Sequence, residues 1–285
     1  MLDDNPLLDN YHQAPVIGYH RAPLSQKFGA PRQPNLVALT SVIEMLAPYD
    51  TPAAFDGLDK FSHIWVSWQF HHNYRYKNNN ETSSGFRAQV RPPRLGGNQK
   101  IGVFASRSMY RPSGLGLSVV KLEQVKIVQG RVLLIIKGAD MIDGTPIIDI
   151  KPYVAYSDAL TQTENGFAPT APELLNVTVT DAANEQFMML VSAGEPSDAN
   201  NNDTNIKDAN IGSNSATVAS TIHRIQNQLI ASDMSIIKEL IAQDPRPAYR
   251  RTEIATPFVM RYKSVDVSFQ LIESGQLQII AVVTV

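Results

Sequence analysis

Side chains capable of chemistry are concentrated in two segments where polar residues alternate with glycine and proline. The first segment carries Arg107, Ser108, Arg111, Pro112, Ser113 and Gly114, and the second carries Asp140, Asp143, Gly144, Thr145, Asp149 and Lys151. Glycine and proline give the backbone unusual courses, and acids in such loops accept hydrogen bonds from ribose hydroxyls or from an amine. We therefore interpret both segments as site loops.

Both acidic motifs also have a purely structural interpretation. The sequence DGTP at residues 143–146 is typical of a plain β-turn, and spacing alone favours that reading. Asp149 and Lys151 alternate along a predicted strand, so they face the same side and are placed to form a local ion pair.

A basic segment lies upstream in a chain whose net charge is only -2. Between Lys60 and Lys137 there are thirteen Lys or Arg residues, against Glu81 and Glu123. Arginine suits bidentate phosphate contacts and tyrosine suits base stacking, so the segment favours an RNA or nucleotide ligand. An equal alternative is that these charges are spread over the surface and paired with acids.

Several other kinds of site are not expected. The absence of cysteine excludes disulfides, zinc-thiolate sites and thiol catalysis. His71 and His72 would face opposite sides of a strand, and no nearby acid completes a ligand set, so no metal site is predicted. The glycines at 96–97, 114 and 116 are not followed by GK[ST], which argues against a nucleoside-triphosphate enzyme.

The elements that must position these loops are mostly strands. Residues 61–70, 102–105, 118–128 and 131–138 have the composition of strands, the last two joined by a turn at Gln129 and Gly130. Residues 37–45 have the spacing of a short helix. Closely spaced strands with little helix between them predict an antiparallel β-barrel, not a Rossmann fold.

A smaller α+β domain is predicted to follow the barrel domain, with boundaries at 12–160 and 161–285. A polar, Asn-rich stretch at about 196–219 is predicted to be a disordered insertion, since it has almost no large apolar residues. Residues 220–242 have helical periodicity, and 265–271 and 277–285 form a predicted hairpin. The acidic N-terminus and the lack of a long apolar run predict a soluble, cytoplasmic protein with no membrane contact.

Four ordered blocks resemble the TsaA-like, TrmO-type family of tRNA (adenine N6)-methyltransferases. They are PRQPNLV (31–37), GLDKFSHIWV (57–66), RPPRLGGNQKIGVFASRSMYRPSGLGLSVVKLE (91–123) and DMIDGTPIIDIKPYVAYSDA (140–159). QDPRPAYRR (243–251) is similar to the family's smaller C-terminal domain. The chain departs from the family pattern at Ser106, often Thr, and at Ser113–Leu115, where Asn-Pro-Ile is usual.

The resemblance implies a homodimeric β-barrel methyltransferase that binds S-adenosylmethionine near the subunit interface. The implied substrate is threonylcarbamoyl-adenosine immediately 3′ of the anticodon in tRNA. The implied cofactor contacts are Pro31, Arg32, Gln33, His71, His72, Arg107, Leu117, Asp143, Gly144, Thr145 and Pro146. For the chemistry we hypothesise that Asp143 or Asp149 orients the acceptor, and that Lys151 or Arg111 holds its threonyl carboxylate.

Two other functions are kept as alternatives: a non-catalytic tRNA-binding module of the same fold, and a small-molecule methyltransferase using the same pocket. In the second domain, Asp244, Arg246, Tyr249 and Arg250 are either an exposed loop that grips the anticodon stem or a turn pinned by an Asp-Arg pair.

Overall fold

The first domain is built around a closed β-barrel. The computed structural model describes residues 12–72, 86–194 and 217–285. Its first eight strands are β1 (Gly18–Arg21), β2 (Thr40–Met45), β3 (His63–Gln69), β4 (Gln89–Val90), β5 (Ile101–Gly102), β6 (Leu115–Val128), β7 (Arg131–Lys137) and β8 (Pro146–Pro152). Six of them close in the order β1-β2-β7-β6-β3-β8, all pairs antiparallel, while β4 and β5 pair separately. The predicted antiparallel barrel is confirmed.

Alternation of buried and outward residues along the strands explains why this segment closes on itself. In β3, Ile64, Val66 and Trp68 point inward, and their neighbours in sequence point outward. Together with Val120, Leu134 and others, they fill the barrel core. Strand β3 therefore buries one face in the barrel and leaves its other face on the outside.

Three predicted elements differ from the structure. Residues 40–45 form strand β2 and not a helix, because β-branched Val42 and Ile43 pair with β1 on one side and with β7 on the other. Residues 103–105 form a 3-10 turn after the short β5. The predicted helix at 220–242 is two helices, separated at residues 228–232.

The second domain packs helices against a four-stranded sheet. The short helix α1 (Ala155–Asp158) follows the barrel, and the second domain contains β9 (Asn176–Val179), α2 (Asp181–Ala193), α3 (Val218–Asn227), α4 (Asp233–Ala242), β10 (Phe258–Tyr262), β11 (Val265–Glu273) and β12 (Gln276–Thr284). The sheet order is β10-β11-β12-β9, with β9 parallel to β12. The predicted terminal hairpin is β11 and β12. The boundary at residue 160 stays a prediction, and most of the insertion predicted at about 196–219 lies outside the described residues.

The two domains share side chains across their boundary. Leu24, Val37 and Leu39, from the chain between β1 and β2, belong to the same core as Phe187, Ile237 and Phe269 of the second domain. In return, α3 leaves its own domain and lays Val218, Ile222 and Ile225 on the outside of β2 and β7. Each domain therefore buries apolar surface that belongs to the other.

A buried ion pair accounts for the break between α3 and α4. Asp233, the first residue of α4, accepts hydrogen bonds from Tyr262 Oη at 2.7 Å, Lys263 Nζ at 2.7 Å and Ile230 N at 2.9 Å. Lys263 Nζ also donates to Gln228 O at 2.8 Å. Because these bonds use the backbone of the connection, they fix where α3 ends and how it leaves the sheet.

Candidate active site

The DGTP turn at residues 143–146 is anchored to β1 and is not a free hairpin turn. Asp143 N donates to Leu24 O at 2.7 Å, and Gly144 N donates to His20 O at 2.8 Å. The Asp143 carboxylate accepts Ala22 N at 2.9 Å. Gly144 has φ +74°, and the space where a Cβ would lie is open. The turn therefore leaves Gly144 open to the outside, while its acidic side chain is held by Ala22, the residue after β1.

His20 supports this turn from inside the barrel. Its side chain is fully buried, with Nδ1 3.1 Å from Ile142 O and Nε2 2.7 Å from Ser41 Oγ. A carbonyl only accepts hydrogen bonds, so Nδ1 carries the proton and Nε2 accepts from the serine. Burial lowers the pKa of His20 from 6.5 to about 4. The imidazole is thus a neutral structural link that sequence reasoning missed.

Asp143 is also bound by the second domain. Gln226, near the end of α3, donates from Nε2 to Asp143 Oδ1 at 2.6 Å. This residue was not a predicted site residue, because nothing in the sequence of an amphipathic helix links it to a turn in another domain. The contact places one side chain of the second domain directly on a candidate functional carboxylate.

His71 and His72 follow the end of β3 and lie near this turn. Their rings are 4.0 Å apart between centroids, so they do not point to opposite sides as predicted, because β3 has ended at Gln69. Burial, followed by the neighbouring His72, lowers the pKa of His71, while Asp143 opposes that shift. His71 and Asp143 therefore belong to one electrostatic environment.

A second polar chain runs from the barrel interior to the surface. Trp68 Nε1 donates to Ser118 Oγ at 3.0 Å, and Ser118 Oγ donates to Asp140 Oδ1 at 2.6 Å. Gly116 permits this, since any Cβ there would collide with the Trp68 indole. Burial raises the pKa of Asp140, with the Ser118 hydrogen bond and the Arg107 charge acting against it. A partly buried carboxylate with a raised pKa is a candidate proton acceptor.

Arg107 links this chain to the first loop. Its Nη1 donates to Gln33 Oε1 at 2.6 Å, which joins two of the predicted cofactor segments. Pro31 is buried in the same loop. Arg32 turns away toward the second domain, where its Nη2 donates to Asp244 O at 3.1 Å.

The remaining predicted site residues lie apart from the turn. Leu117 is 57% exposed on the outer face of β6. Asp149 and Lys151 are exposed on the outer face of β8, opposite Ser67 and Trp65 of β3, and no ion pair between them is seen in the described part of the chain. Arg111 Nη1 donates to Ser106 O at 2.7 Å and its guanidinium lies over Phe104, so it braces its own loop.

Part of the basic segment is paired with acids. Glu123 binds Lys121 and Lys137, and Arg131 binds Glu44 and Asp50. These pairs lie on the side of the barrel formed by β2, β6 and β7. The alternative of a mixed, paired surface therefore holds for this side, whereas Arg107 has no acidic partner within ion-pair distance among the described residues.

The described ranges contain neither a metal cluster nor a membrane-spanning helix. Across residues 12–72, 86–194 and 217–285, no group of three or more His, Asp or Glu side chains is arranged to hold a metal ion. Among the helices of those same ranges, none has the length and apolar character needed to cross a bilayer.

Both domains of the chain match known proteins. Residues 19–159 match the family model described as the tRNA-methyltransferase O N-terminal domain, and residues 214–285 match the TrmO C-terminal domain. A putative S-adenosylmethionine-dependent methyltransferase, RcsF, from Pseudomonas aeruginosa is 35% identical over 257 residues, covering 90% of this chain and 91% of that protein. A tRNA (adenine(37)-N6)-methyltransferase from Escherichia coli is 32% identical, covering 90% and 94%.

Solved structures give the same result. The crystal structure of TrmO from Pseudomonas aeruginosa aligns with a TM-score of 0.66 at 27% identity, covering 96% of this chain and 98% of that one. The assignment made from the sequence blocks, and with it the class of enzyme, is confirmed. The chain belongs to the tRNA-methyltransferase O family.

Proposed function

We propose that this protein transfers a methyl group from S-adenosylmethionine to N6 of threonylcarbamoyl-adenosine next to the anticodon of tRNA. The observation that carries the proposal is the meeting of three family segments at one end of the barrel, where Gln33 contacts Arg107 and Ser118 contacts Asp140. Relatives over most of the chain are tRNA (adenine(37)-N6)-methyltransferases, which supports an adenine amino group as the acceptor.

The side chains at this end of the barrel match the chemical groups of S-adenosylmethionine. When bound, this cofactor supplies an electrophilic methyl group on a sulfonium. Arg107 is suited to its carboxylate, Asp143 to its ammonium or ribose hydroxyls, and Leu117 to its apolar parts. Pro31, Gln33, His71, His72 and the backbone of residues 143–146 complete the proposed contacts. The proposed cofactor contact at Arg32 is made by its backbone, because its guanidinium already binds Asp244 O.

The chain's own contribution to the reaction is alignment and proton removal. The N6 of threonylcarbamoyl-adenosine is a ureido N–H, and transfer requires that its proton leave as the new bond forms. We assign proton acceptance to Asp140, whose pKa is raised by burial, and orientation of the acceptor to Asp143, whose Oδ1 is held by Ala22 and Gln226. Most of the rate enhancement then comes from positioning.

The threonyl carboxylate needs a cation. Arg111 and Lys151 were candidates from the sequence, together with Asp149 for acceptor orientation. Arg111 is committed to Ser106 O, so its remaining N–H groups are the part open to a ligand. Asp149 and Lys151 face outward from β8, so they would act only on a group that approaches from outside the barrel.

A homodimer is part of the proposal. Leu115 and Leu117 alternate with inward residues on β6 and are 39% and 57% exposed, while Phe104 nearby in sequence is 71% exposed. An outward apolar strand face next to a predicted cofactor residue is suited to a second copy of the chain. We place the protein in the cytoplasm, where its tRNA substrate would be met.

The proposal is tested by methyl incorporation from labelled S-adenosylmethionine into tRNA pools with and without the threonylcarbamoyl group. Incorporation only into the modified pool is expected. Asp140→Asn should lower kcat by about 100-fold, the usual order for loss of a general base, while the exposed Asp59→Asn serves as a matched charge control. Cofactor binding without methyl transfer to either pool would contradict the proposal and favour a non-catalytic tRNA-binding module.

A further inference from the structure

Two arginines from different domains converge on one backbone oxygen. Arg32, in the chain between β1 and β2, donates from Nη2 to Asp244 O at 3.1 Å. Arg251, in the second domain, donates from its own Nη2 to the same oxygen at 3.4 Å. Like charges repel, and the fold brings these two guanidinium groups side by side across the domain boundary.

The acid at this point does not balance the positive charge. The Asp244 carboxylate binds Arg246 Nε at 2.7 Å and Nη2 at 3.2 Å. Arg251 Nε lies 3.2 Å from Asp244 Oδ2, the oxygen that accepts from Arg246 Nη2, but lacks hydrogen-bonding geometry. Two guanidinium groups therefore share this carboxylate, and the third, that of Arg32, binds only the backbone oxygen of Asp244. Burial, and then the charge of Arg251, lowers the pKa of Arg32.

Buried polar atoms at this junction remain without partners. Arg246 is 1% exposed, and its Nη1 finds no hydrogen-bond partner among the residues that the structure describes. Asp244 itself adopts φ +49°, a left-handed conformation that is unusual for a residue other than glycine. Unsatisfied donors, excess positive charge and backbone strain in one place are typical of a ligand site.

The positive charge of the neighbouring Arg250 is paired with an acid. Arg250 donates from Nε to Glu253 Oε1 at 3.0 Å and from Nη2 to Glu253 Oε2 at 2.8 Å, and its guanidinium lies 4.6 Å from the centroid of the Phe258 ring. Its charge is therefore matched. Arg250 is thus a control for Arg251, being one residue away with the same side chain.

We propose that Arg32 and Arg251 form a binding site for a backbone phosphate of tRNA at the junction of the two domains. Both side chains are partly exposed, and a phosphate accepts several guanidinium N–H groups at once. Tyr249, 84% exposed on the same turn, is available for stacking on a base. The site rests on the proposed tRNA substrate and gives it a named contact outside the methyl-transfer end of the barrel.

The test measures tRNA affinity of the full chain against salt concentration, using unfractionated tRNA. One phosphate contact contributes about one to the slope of log Kd against log salt, so loss of this contact in either Arg251→Gln or Arg32→Gln should lower the slope by about one. Both should weaken binding by about 10-fold at low salt. Arg251→Lys, which keeps the charge, should retain the slope. Arg250→Gln removes the same net charge and should leave the slope nearly unchanged.

Three outcomes overturn the inference. In the first, the salt slopes of Arg251→Gln and Arg32→Gln equal that of the wild type. In the second, Arg250→Gln lowers the slope as much as they do. In the third, both variants lose cofactor affinity and keep tRNA affinity, which assigns the arginines to the cofactor carboxylate. Circular dichroism melting checks folding, and if Arg251→Gln fails to fold, the exposed Arg32→Gln decides. Because binding is the readout, the result stands apart from whether methyl transfer is observed.

Discussion

The buried His20 predicts a specific loss of stability in mild acid. Its pKa is 6.5 in the unfolded chain and about 4 when folded, because burial disfavours the charged imidazole. Below pH 6.5 the unfolded chain takes up a proton that the folded chain refuses, so folding weakens as pH falls toward 4. A difference of that size corresponds to about 3 kcal/mol in full, of which about 2 kcal/mol is lost between about pH 7.5 and about pH 5.

Urea unfolding at a series of pH values measures this effect. Other groups also titrate in the same range, so the comparison is with His20→Gln, which has no imidazole to protonate. We expect this variant to be less stable at about pH 7.5 but to lose about 2 kcal/mol less than the wild type on moving to about pH 5. His223→Gln, on the exposed face of α3, controls for loss of a histidine. Equal losses in the wild type and His20→Gln would refute the reasoning.

Three further predictions follow from the contacts described above. Gln226→Leu removes the domain-crossing hydrogen bond to Asp143, so kcat/KM for methyl transfer should fall by about 10-fold, and Asn227→Leu should leave it unchanged. Gly116→Ala forces a methyl group into the Trp68 indole and should cost about 1–3 kcal/mol of unfolding free energy, seen together with altered tryptophan fluorescence; an unchanged melting temperature would argue against this packing. Lys263→Met leaves the Asp233 carboxylate buried without its cation, so urea unfolding should show a loss of about 3–5 kcal/mol, and Asp233→Asn combined with Lys263→Met should recover part of it.

The barrel was predictable because its signal is local. Buried and outward side chains alternate along β3, and runs of β-favouring residues mark β3, β6 and β7 in the printed sequence. The family was predictable from four blocks of ordered residues, independently of any physical argument. The helix predicted at residues 37–45 was wrong because the apolar spacing there suits a helix as well as a strand, and only pairing with β1 and β7 decides between them.

The supporting residues were not predictable, because their partners are distant in the chain. His20 meets Ser41 and Ile142, and Gln226 meets Asp143, through closure of the barrel and the return of α3. For Arg246, the sequence suggests an exposed side chain where the fold buries it. In the sequence it belongs to a Pro-rich polar loop, yet the fold buries it against Asp244 and Phe258, and only Tyr249 of that loop is strongly exposed.

The parallel pairing of β9 with β12 has a consequence for synthesis on the ribosome. Strand β12 is an inner strand of the sheet, since Val177 of β9 pairs with Leu277 on one of its sides, and it is also the last strand of the sheet to be synthesised. Every barrel strand, in contrast, precedes residue 153. The barrel is able to close while the second domain is still incomplete, with Leu24, Val37 and Leu39 waiting for their cover. Chains stalled before β12 should therefore carry a folded barrel with an uncovered apolar flank, the kind of surface that chaperones bind.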